Sequence, residues 1–336
     1  MMQEKYNKLY KIITGSKKNV VITTHRGPDG DAMGSSLALY HLLKKLEHHV
    51  QIITPNDYAD FLHWLPGSKD VIIYEEFKEK CKKISEKADL IFFMDLNNID
   101  RIADYKDCII NTSSIKILID HHQDPDCSMA DLVFSDTKSS STAELLYNII
   151  KVLNLNHLLD KDISECLYTG ILTDTGSFKY SSTTSITHNI ISDLIERGVD
   201  HSKIHDLIYD SSSIDRMRLL GYCLNEKLQV YEKNNSAIIS LNHEELIRFN
   251  FKKGDTEGII NYALAIKGII FAAFIVEKDG ITKLSLRSKG NFKVNEIAKK
   301  YFNGGGHINA SGGVSQLSVK ETIKKLENII NKIKIK

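Results

Sequence analysis

Aspartate and histidine side chains are concentrated in four short segments before residue 180. Mixed carboxylate and imidazole ligands suit Mn(II), and the absence of thiolates argues against a structural zinc site. So many carboxylates would repel one another unless cations neutralised them. A carboxylate shared by two ions would hold them ~3.5–4 Å apart, the spacing used in phosphoryl chemistry. The segments are HRGPDGDA (25–32), FFMDL (92–96), LIDHH (118–122) and GILTDTG (170–176).

Taken singly, each segment has a simpler interpretation than metal binding. Asp29-Gly30-Asp31 in a loop is more often a turn or a helix cap. Asp95 ends an apolar strand, where a charge usually caps the next element or faces solvent. Asp174 near a helix C-terminus is unfavourable for the helix dipole, and a cation would compensate it. The hypothesis of a metal centre therefore depends on the segments meeting in one place.

The densest segment is Asp120-His121-His122, in which two imidazoles follow a carboxylate. In an extended segment adjacent side chains point in opposite directions, so His121 and His122 are expected to have different roles. One can ligate a metal while the other faces a substrate. The pair His48-His49 has no acidic motif around it and is expected at the surface.

The elements that must position these segments are apolar strands alternating with helical patterns. Such alternation predicts an α/β fold, a mostly parallel sheet with helices on both faces. In these sheets ligands bind beyond the carboxyl ends of the strands, and each segment follows a strand or lies at a helix end. The predicted strands are 20–24, 50–53, 90–94 and 115–119, and the main helices are 34–46, 142–153 and 163–172.

The chain has 336 residues, which predicts about two domains because single cores stop growing beyond roughly 250–300 residues. Helical patterns without a strand follow residue 187, and a strand-and-helix pattern then resumes. We therefore expect a first α/β domain over 1–190, a helical linker over 191–232 and a smaller α/β domain over 233–336. The strands predicted in the smaller domain are 237–241, 269–276 and 283–286, with a final basic helix at 319–333.

The composition of the chain indicates what size of substrate it binds and where in the cell it is found. Forty-four basic and 43 acidic side chains give a net charge of +1, whereas proteins that grip long duplex DNA usually carry a basic excess. We therefore expect a small or short substrate. Scattered cysteines without a C-x-x-C pair predict reduced thiols in the cytoplasm. With no signal-peptide core and no apolar run near ~18 residues, we expect a soluble protein without a membrane partner.

The four segments resemble, in order and spacing, the motifs of the DHH phosphoesterase superfamily, which includes RecJ-like nucleases and manganese-dependent inorganic pyrophosphatases. Leu286-Arg287-Ser288 followed by FNGGGHINASGG (302–313) resembles the glycine-rich signature of the DHH-associated C-terminal domain. The length and the pairing of domains most resemble the bifunctional oligoribonuclease and pAp phosphatase (nanoRNase) group. In one departure, Asn303 stands where the family usually has the first of four glycines, and Asn tolerates left-handed backbone angles.

The resemblance implies a centre of two Mn(II) ions in the first domain, with Mg(II) or Co(II) as alternatives. A hydroxide between the ions would attack phosphorus in line, because coordination lowers the pKa of water to roughly 7. The implied ligands are His25 and Asp29 on one ion, Asp31, His121 and Asp174 on the other, and Asp95 bridging both.

The resemblance also implies roles for the remaining residues. His122 would contact the scissile phosphate and protonate the leaving oxygen, and Asp120 would accept a hydrogen bond from a ligating imidazole. Arg101 either reaches the substrate or forms a surface salt bridge with Asp104. The C-terminal domain would bind substrate by a phosphate contact from its arginine and by an anion nest of glycine amides. The implied substrate-binding residues there are Arg287, Ser288, Gly304, Gly305, Gly306, His307 and Asn309.

On this basis we expect a metal-dependent hydrolase of short oligoribonucleotides that also removes the 3′-phosphate of pAp. The alternative substrates are cyclic di-AMP and its linear product pApA. A manganese inorganic pyrophosphatase and a non-catalytic nucleic-acid-binding protein are weaker alternatives. A homodimer is compatible with all of these.

Overall fold

The structure is a computed structural model that describes residues 2–278 and 280–333. The chain divides into two compact units, Met1–Ser211 and Ser212–Lys336, and each contains its own sheet. The division falls inside the stretch predicted as a linker, 191–232, so the helices of that stretch are shared between the units. Within the described residues, no helix has both the length and the apolar character needed to cross a membrane.

The first unit confirms the predicted parallel α/β fold. Its strands are all parallel and lie in the order β3-β2-β1-β4-β5-β6. The short edge strands β3 and β6 were not predicted. The strands are β1 (Asn19–Thr24), β2 (His49–Thr54), β3 (Ile72–Ile73), β4 (Leu90–Met94), β5 (Ile115–Asp120) and β6 (Leu132–Ser135). The helices are α1 (Met2–Ile13), α2 (Gly30–Lys45), α3 (Lys78–Glu86), α4 (Lys106–Ile109), α5 (Thr142–Val152), α6 (Lys161–Asp174), α7 (Ser185–Glu196) and α8 (His201–Tyr209).

Strand residues alternate between two cores, one on each face of this sheet. Val20 and Ile22 of β1 join the larger core, which contains α2, α5 and α6. Val21, between them, joins the opposite core with side chains of α3 and α4. Both faces are covered, which is why the strands read as continuous apolar runs.

Glycines let α2 and α6 pack with their backbones in close contact. A Cβ on Gly34 would lie 2.5 Å from the carbonyl oxygen of Cys166, and a Cβ on Gly170 would lie 2.9 Å from Oδ1 of Asp31. A larger side chain at either position would push the helices apart. This packing brings the start of α2, with Asp31, close to the end of α6, with Asp174.

The second unit is a mixed sheet in the order β11-β12-β10-β9-β8-β7, in which only β8 and β9 are parallel among the described pairs. Apolar cores lie on both of its faces. The strands are β7 (Gln229–Tyr231), β8 (Ser236–Leu241), β9 (Phe271–Lys278), β10 (Ile281–Ser288), β11 (Gly305–His307) and β12 (Ala310–Ser315). The helices are α9 (Ile214–Tyr222), α10 (His243–Arg248), α11 (Ile259–Ala265), α12 (Val294–Tyr301) and α13 (Val319–Lys332).

The expectation that His48 lies at the surface was wrong, since its side chain is buried at 5% exposure. Its Nδ1 accepts a hydrogen bond from the backbone N–H of Lys18 at 3.1 Å, and its Nε2 donates to the carbonyl of Ile13 at 2.7 Å. The imidazole therefore closes the turn between α1 and β1. His49 is exposed, as expected.

Candidate metal centre

Asp29 caps helix α2 and also faces the predicted metal centre. Its Oδ1 accepts hydrogen bonds from the N–H groups of Asp31 and Ala32 at 3.1 and 3.0 Å. Its Oδ2 lies 3.8 Å from Nε2 of His25. The helix-cap and metal-ligand interpretations are therefore compatible, because each uses a different oxygen of the same carboxylate.

Asp31 is buried and accepts hydrogen bonds from the start of another helix. The N–H of Thr142 donates to Oδ2 at 2.6 Å, and the N–H of Ala143 donates to Oδ1 at 2.9 Å. Both groups lie in the first turn of α5, where N–H groups have no partner inside the helix and favour an anion. Asp31 Oδ2 also lies 3.8 Å from Nε2 of His121.

Asp95 occupies the centre of the cluster, directly after β4. Its Oδ2 lies 3.4 Å from Nε2 of His25, and its Oδ1 lies 3.7 Å from Nε2 of His121. The side chain is buried, and the backbone has a positive φ of 58°. Left-handed backbone at a non-glycine residue is strained and is found where the surroundings enforce it. The distances above place Oδ2 of Asp95 beside His25 and Oδ1 beside His121, so its two oxygens face different histidines.

The adjacent histidines point to different partners, as the extended segment predicts. His121 donates from Nδ1 to the carbonyl of Ser139 at 3.2 Å and turns Nε2 towards the carboxylates. His122 donates from Nδ1 to Oδ1 of Asp120 at 2.8 Å. In His121 the bond at Nδ1 leaves Nε2 facing the carboxylates, whereas Nδ1 of His122 also lies 3.4 Å from Oδ1 of Asp95.

Asp120 is fully buried and supports His122, whereas the sequence suggested that it supports a ligating imidazole. The ligand candidate His121 instead uses a backbone carbonyl, because its ring lies on the opposite side of the chain. Arg101 lies beside His122, with its Nη1 at 3.4 Å from Nε2 of that histidine. The carbonyl of Arg101 accepts a hydrogen bond from the N–H of Arg26 at 2.7 Å, which ties this loop to the one after β1.

The electrostatics of the cluster indicate excess negative charge. Burial raises the pKa of Asp31 well above its ordinary value, and the carboxylates of Asp95 and Asp174 add to that shift. Burial also raises the pKa of Asp174 to about 6. For Asp95 burial acts upwards too, but the surrounding imidazoles outweigh it and hold the pKa well below its ordinary value. Burial lowers the pKa of His121, yet the carboxylates of Asp174 and Asp95 outweigh it and raise that pKa overall.

These side chains fit a divalent cation. Several groups of potential ligand atoms lie within 4.8 Å of one another, and they share Asp95. Asp174 extends them, since its Oδ2 lies 3.4 Å from Nε2 of His121. Oxygen and imidazole donors together suit a divalent metal ion, which would also neutralise the repelling carboxylates. The groups in this unit are His25, Asp29 and Asp95; Asp31, Asp95 and His121; and Asp95, Asp120 and His122.

The glycine run of the second unit forms the edge strand β11, paired with β12. The N–H of Gly304 donates to the carbonyl of Ala298 at 3.1 Å, so this amide already has a backbone partner. A Cβ on Gly304 would lie 2.0 Å from the carbonyl oxygen of Gly312, whereas one on Gly305 meets nothing within 4 Å. Asn303 has a φ of 44°, the left-handed conformation that asparagine tolerates.

The other residues predicted to bind substrate lie around the ends of β10 and β11. Asn309 donates from Nδ2 to Oγ of Ser288 at 2.8 Å and to the carbonyl of Gly290 at 2.9 Å. Arg287 donates from Nη1 to the carbonyl of Leu286 at 3.3 Å. Gly306 has a φ of 133°, and His307 follows it at the end of β11.

Sequence reasoning missed the stretch 139–143, which contacts Asp31, Asp95 and His121 from the start of α5. The only signal was the run Ser139-Ser140-Ser141-Thr142 ahead of a predicted helix. Such a run usually means a helix cap, and Ser141 does cap α5. Its contacts with the cluster follow from tertiary packing alone.

Each of the two units matches a domain of a known family. Residues 19–171 match the N-terminal domain of the DHH family, and residues 235–334 match the DHHA1 domain. The chain is 32% identical to the probable bifunctional oligoribonuclease and PAP phosphatase of Streptococcus mutans, over 93% of this chain and 94% of that protein. The chain belongs to the DHH family. It is a phosphoesterase of that family, a hydrolase of phosphate esters.

Two further similarities cover most of this DHH-family chain. The bifunctional oligoribonuclease and PAP phosphatase of Thermus thermophilus is 27% identical, over 92% of this chain and 88% of that protein. The crystal structure of an exopolyphosphatase-related protein from Bacteroides fragilis has a TM-score of 0.92 and 40% identity, covering 99% of this chain and 97% of that chain. The shared architecture therefore spans both units.

Proposed function

We propose that this DHH-family enzyme hydrolyses short oligoribonucleotides and removes the 3′-phosphate of pAp, using two Mn(II) ions. The observation that carries the proposal is the position of Asp95, whose Oδ2 faces His25 and whose Oδ1 faces His121. One carboxylate between two sets of donors is what a bridging ligand requires. Relatives named bifunctional oligoribonuclease and PAP phosphatase support the substrate class. The proposed ligands are His25 and Asp29 for one ion, Asp31, His121 and Asp174 for the other, and Asp95 for both.

The residues around His122 suit contact with the reacting phosphate. Divalent cations bound by this cluster would supply an activated water and offset the charge of the phosphate. Asp120 holds Nδ1 of His122, which leaves Nε2 as the nitrogen that faces Arg101. We assign His122 to protonation of the leaving oxygen, a contribution of about 10²–10⁴-fold, and Arg101 to a charged hydrogen bond with the phosphate.

We further propose that residues 1–190 form the catalytic domain and residues 233–336 the substrate-binding domain. The match of 235–334 to the DHHA1 domain supports this division. Free thiols, three of them buried, support a cytoplasmic location for the enzyme. The proposed substrate-binding residues are Arg287, Ser288, Gly304, Gly305, Gly306, His307 and Asn309.

The test is hydrolysis of a panel of substrates by the full chain with Mn(II). The panel contains pAp, a short RNA, pApA, cyclic di-AMP, pyrophosphate and a long DNA duplex. We expect turnover of pAp and short RNA, and no cleavage of the duplex. The control is Asp95→Asn, which keeps the shape and tolerates the left-handed backbone but removes the charge. We expect it to lower kcat by about 10³-fold or more, since metal ions contribute several kcal/mol.

Other outcomes would overturn parts of this proposal. Turnover by Asp95→Asn equal to that of the wild type would reject Asp95 as the bridge. A preference for pyrophosphate or for cyclic di-AMP would reject the proposed substrates. Unchanged activity after chelation of metals would reject the metal requirement.

A further inference from the structure

The stretch 139–143 contacts three side chains of the candidate metal centre that come from three different elements. The carbonyl of Ser139 accepts from His121, and the N–H groups of Thr142 and Ala143 donate to Asp31. The hydroxyl of Thr142 donates to Oδ1 of Asp95 at 2.9 Å. Residues 139–142 are buried, although each carries a hydroxyl. The stretch therefore links α2, the end of β4 and the end of β5.

We propose that Thr142 is a positioning residue whose hydroxyl orients Asp95 as the bridge between the two ions, an inference that rests on the proposed function. Asp95 has a left-handed backbone, so the strand geometry before it does not set its side-chain direction. A hydrogen bond from a buried hydroxyl to a carboxylate is among the stronger kinds. Because it is made to Oδ1, it leaves Oδ2 directed at His25.

The hydroxyl of Thr142 is not needed to start the helix. Ser141 is the N-cap of α5, and its Oγ accepts from the N–H of Glu144 at 3.0 Å. Thr142 is the first residue inside the helix, where a β-branched side chain has few allowed rotamers. Its restricted torsion and its full burial fix the direction of the hydroxyl. If the side chain of Thr142 only filled space, valine would serve equally well, because its shape is nearly the same.

The start of α5 is itself held firmly in the fold. The buried carboxylate of Glu144 accepts hydrogen bonds from Oγ of Ser140 at 2.6 Å and from Oγ1 of Thr187 at 2.8 Å. Thr187 belongs to the first turn of α7, so the stretch is tied to a second helix. A positioning residue needs such support, because a group that moves cannot orient another.

The experiment compares Thr142→Val, which removes the hydroxyl at nearly constant shape, with Thr142→Ser, which retains it. Thr322→Val is the control, since Thr322 is a fully buried threonine of the second unit that donates to Ser315. For each full-length protein we would measure Mn(II) binding by calorimetry, the shift of Tm on adding Mn(II), and kcat and KM for pAp. We expect Thr142→Val to weaken Mn(II) binding by about 10–100-fold and to lower kcat, as for other partners of metal ligands. Thr142→Ser and Thr322→Val should bind Mn(II) like the wild type.

The outcomes separate this proposal from the proposed function. If Thr142→Val binds Mn(II) and turns over pAp like the wild type, Thr142 only fills space and the proposal is wrong. If the wild type binds no Mn(II) and turns over no substrate, both the proposed metal-dependent function and this inference are wrong. Should Thr142→Val not fold, Thr142→Ala removes the hydroxyl with a smaller side chain. Its Mn(II) affinity is expected to fall by the same factor, and an unchanged affinity would reject the proposal.

Discussion

The two regions that carry the motifs of this chain are built in opposite ways. At the carboxyl end of the parallel sheet, Asp31, Asp95 and His121 are buried, and partners from other elements hold each side chain. In the second unit, Gly305 and Gly306 lie exposed in an edge strand. The first region specifies the direction of side chains, whereas the second specifies the path of the backbone. This contrast suits the roles proposed for the two regions, a metal centre that holds charges close together and a surface that binds substrate.

The contrast has an energetic side, because carboxylates of the first region repel one another. Burial and neighbouring carboxylates raise the pKa values of Asp31 and Asp174, so their ionisation opposes folding until a cation is bound. Substitutions that remove the charge of Asp31 or Asp174 should therefore raise the stability of the metal-free chain and weaken metal binding.

The largest effect is expected for Asp174→Asn, which removes a charge at nearly constant shape. Mn(II) affinity should fall by at least the roughly 100-fold seen for partners of metal ligands, measured by calorimetry. Without metal at pH 8, the variant should be more stable than the wild type in urea denaturation, because an ionised, partly buried carboxylate that its neighbours repel has been removed. A metal-free variant less stable than the wild type would show that Asp174 does not oppose folding.

The second prediction concerns pH and uses the same groups. Burial raises the pKa of Asp174 from the ordinary 3.8 to about 6, so the folded metal-free chain binds more protons than the unfolded chain in this range. Relative to Asp174→Asn, the stability of the metal-free wild type in urea denaturation should therefore fall as pH rises from about 4 to about 6, because Asp174 loses its proton over this range. Mn(II) competes with these protons, so the Tm shift that it causes should grow over the same range. A shift of Tm that shrinks with rising pH would contradict this account.

The smallest expected effect is a difference in the free energy of unfolding between two Gly→Ala variants, one in each region. In Gly170→Ala the new Cβ would lie 2.6 Å from Cβ of Ala143 and 2.9 Å from Oδ1 of Asp31, so we expect a loss of about 1–3 kcal/mol and weaker Mn(II) binding. In Gly305→Ala the Cβ meets nothing within 4 Å, and the free energy of unfolding should change by less than about 0.5 kcal/mol. Urea denaturation measures the free energy of unfolding of both variants. Equal losses would show that the two regions do not differ in packing.

Much of the first unit was predictable because its signals are local. Each long strand is an apolar run, and Asp95 and Asp120 lie at or just after the ends of such runs. Since parallel strands end at one edge, the sequence alone implied that these residues meet. The alternation of His121 and His122 also followed from local geometry.

The parts that were missed depend on contacts between distant residues. Thr142 and Asp95 are 47 positions apart in the sequence, and a serine-rich helix cap gives no local signal that predicts their hydrogen bond. His48 is buried because its ring nitrogens reach Lys18 and Ile13, although its own neighbours are polar. The short edge strands β3 and β6 carry too few residues to give a periodic signal.

The left-handed backbone of Asp95 narrows the changes that this position can accept. Single base changes in an aspartate codon lead to Asn, Gly and His, which suit such backbone angles, but none of them keeps a carboxylate. Glutamate, also one base away, keeps the carboxylate but is a poor residue for a φ of 58° and carries its oxygens further from the chain. No single step away from aspartate preserves both the charge and the backbone. Every single-base change at this codon therefore loses either the carboxylate or a side chain suited to this backbone conformation.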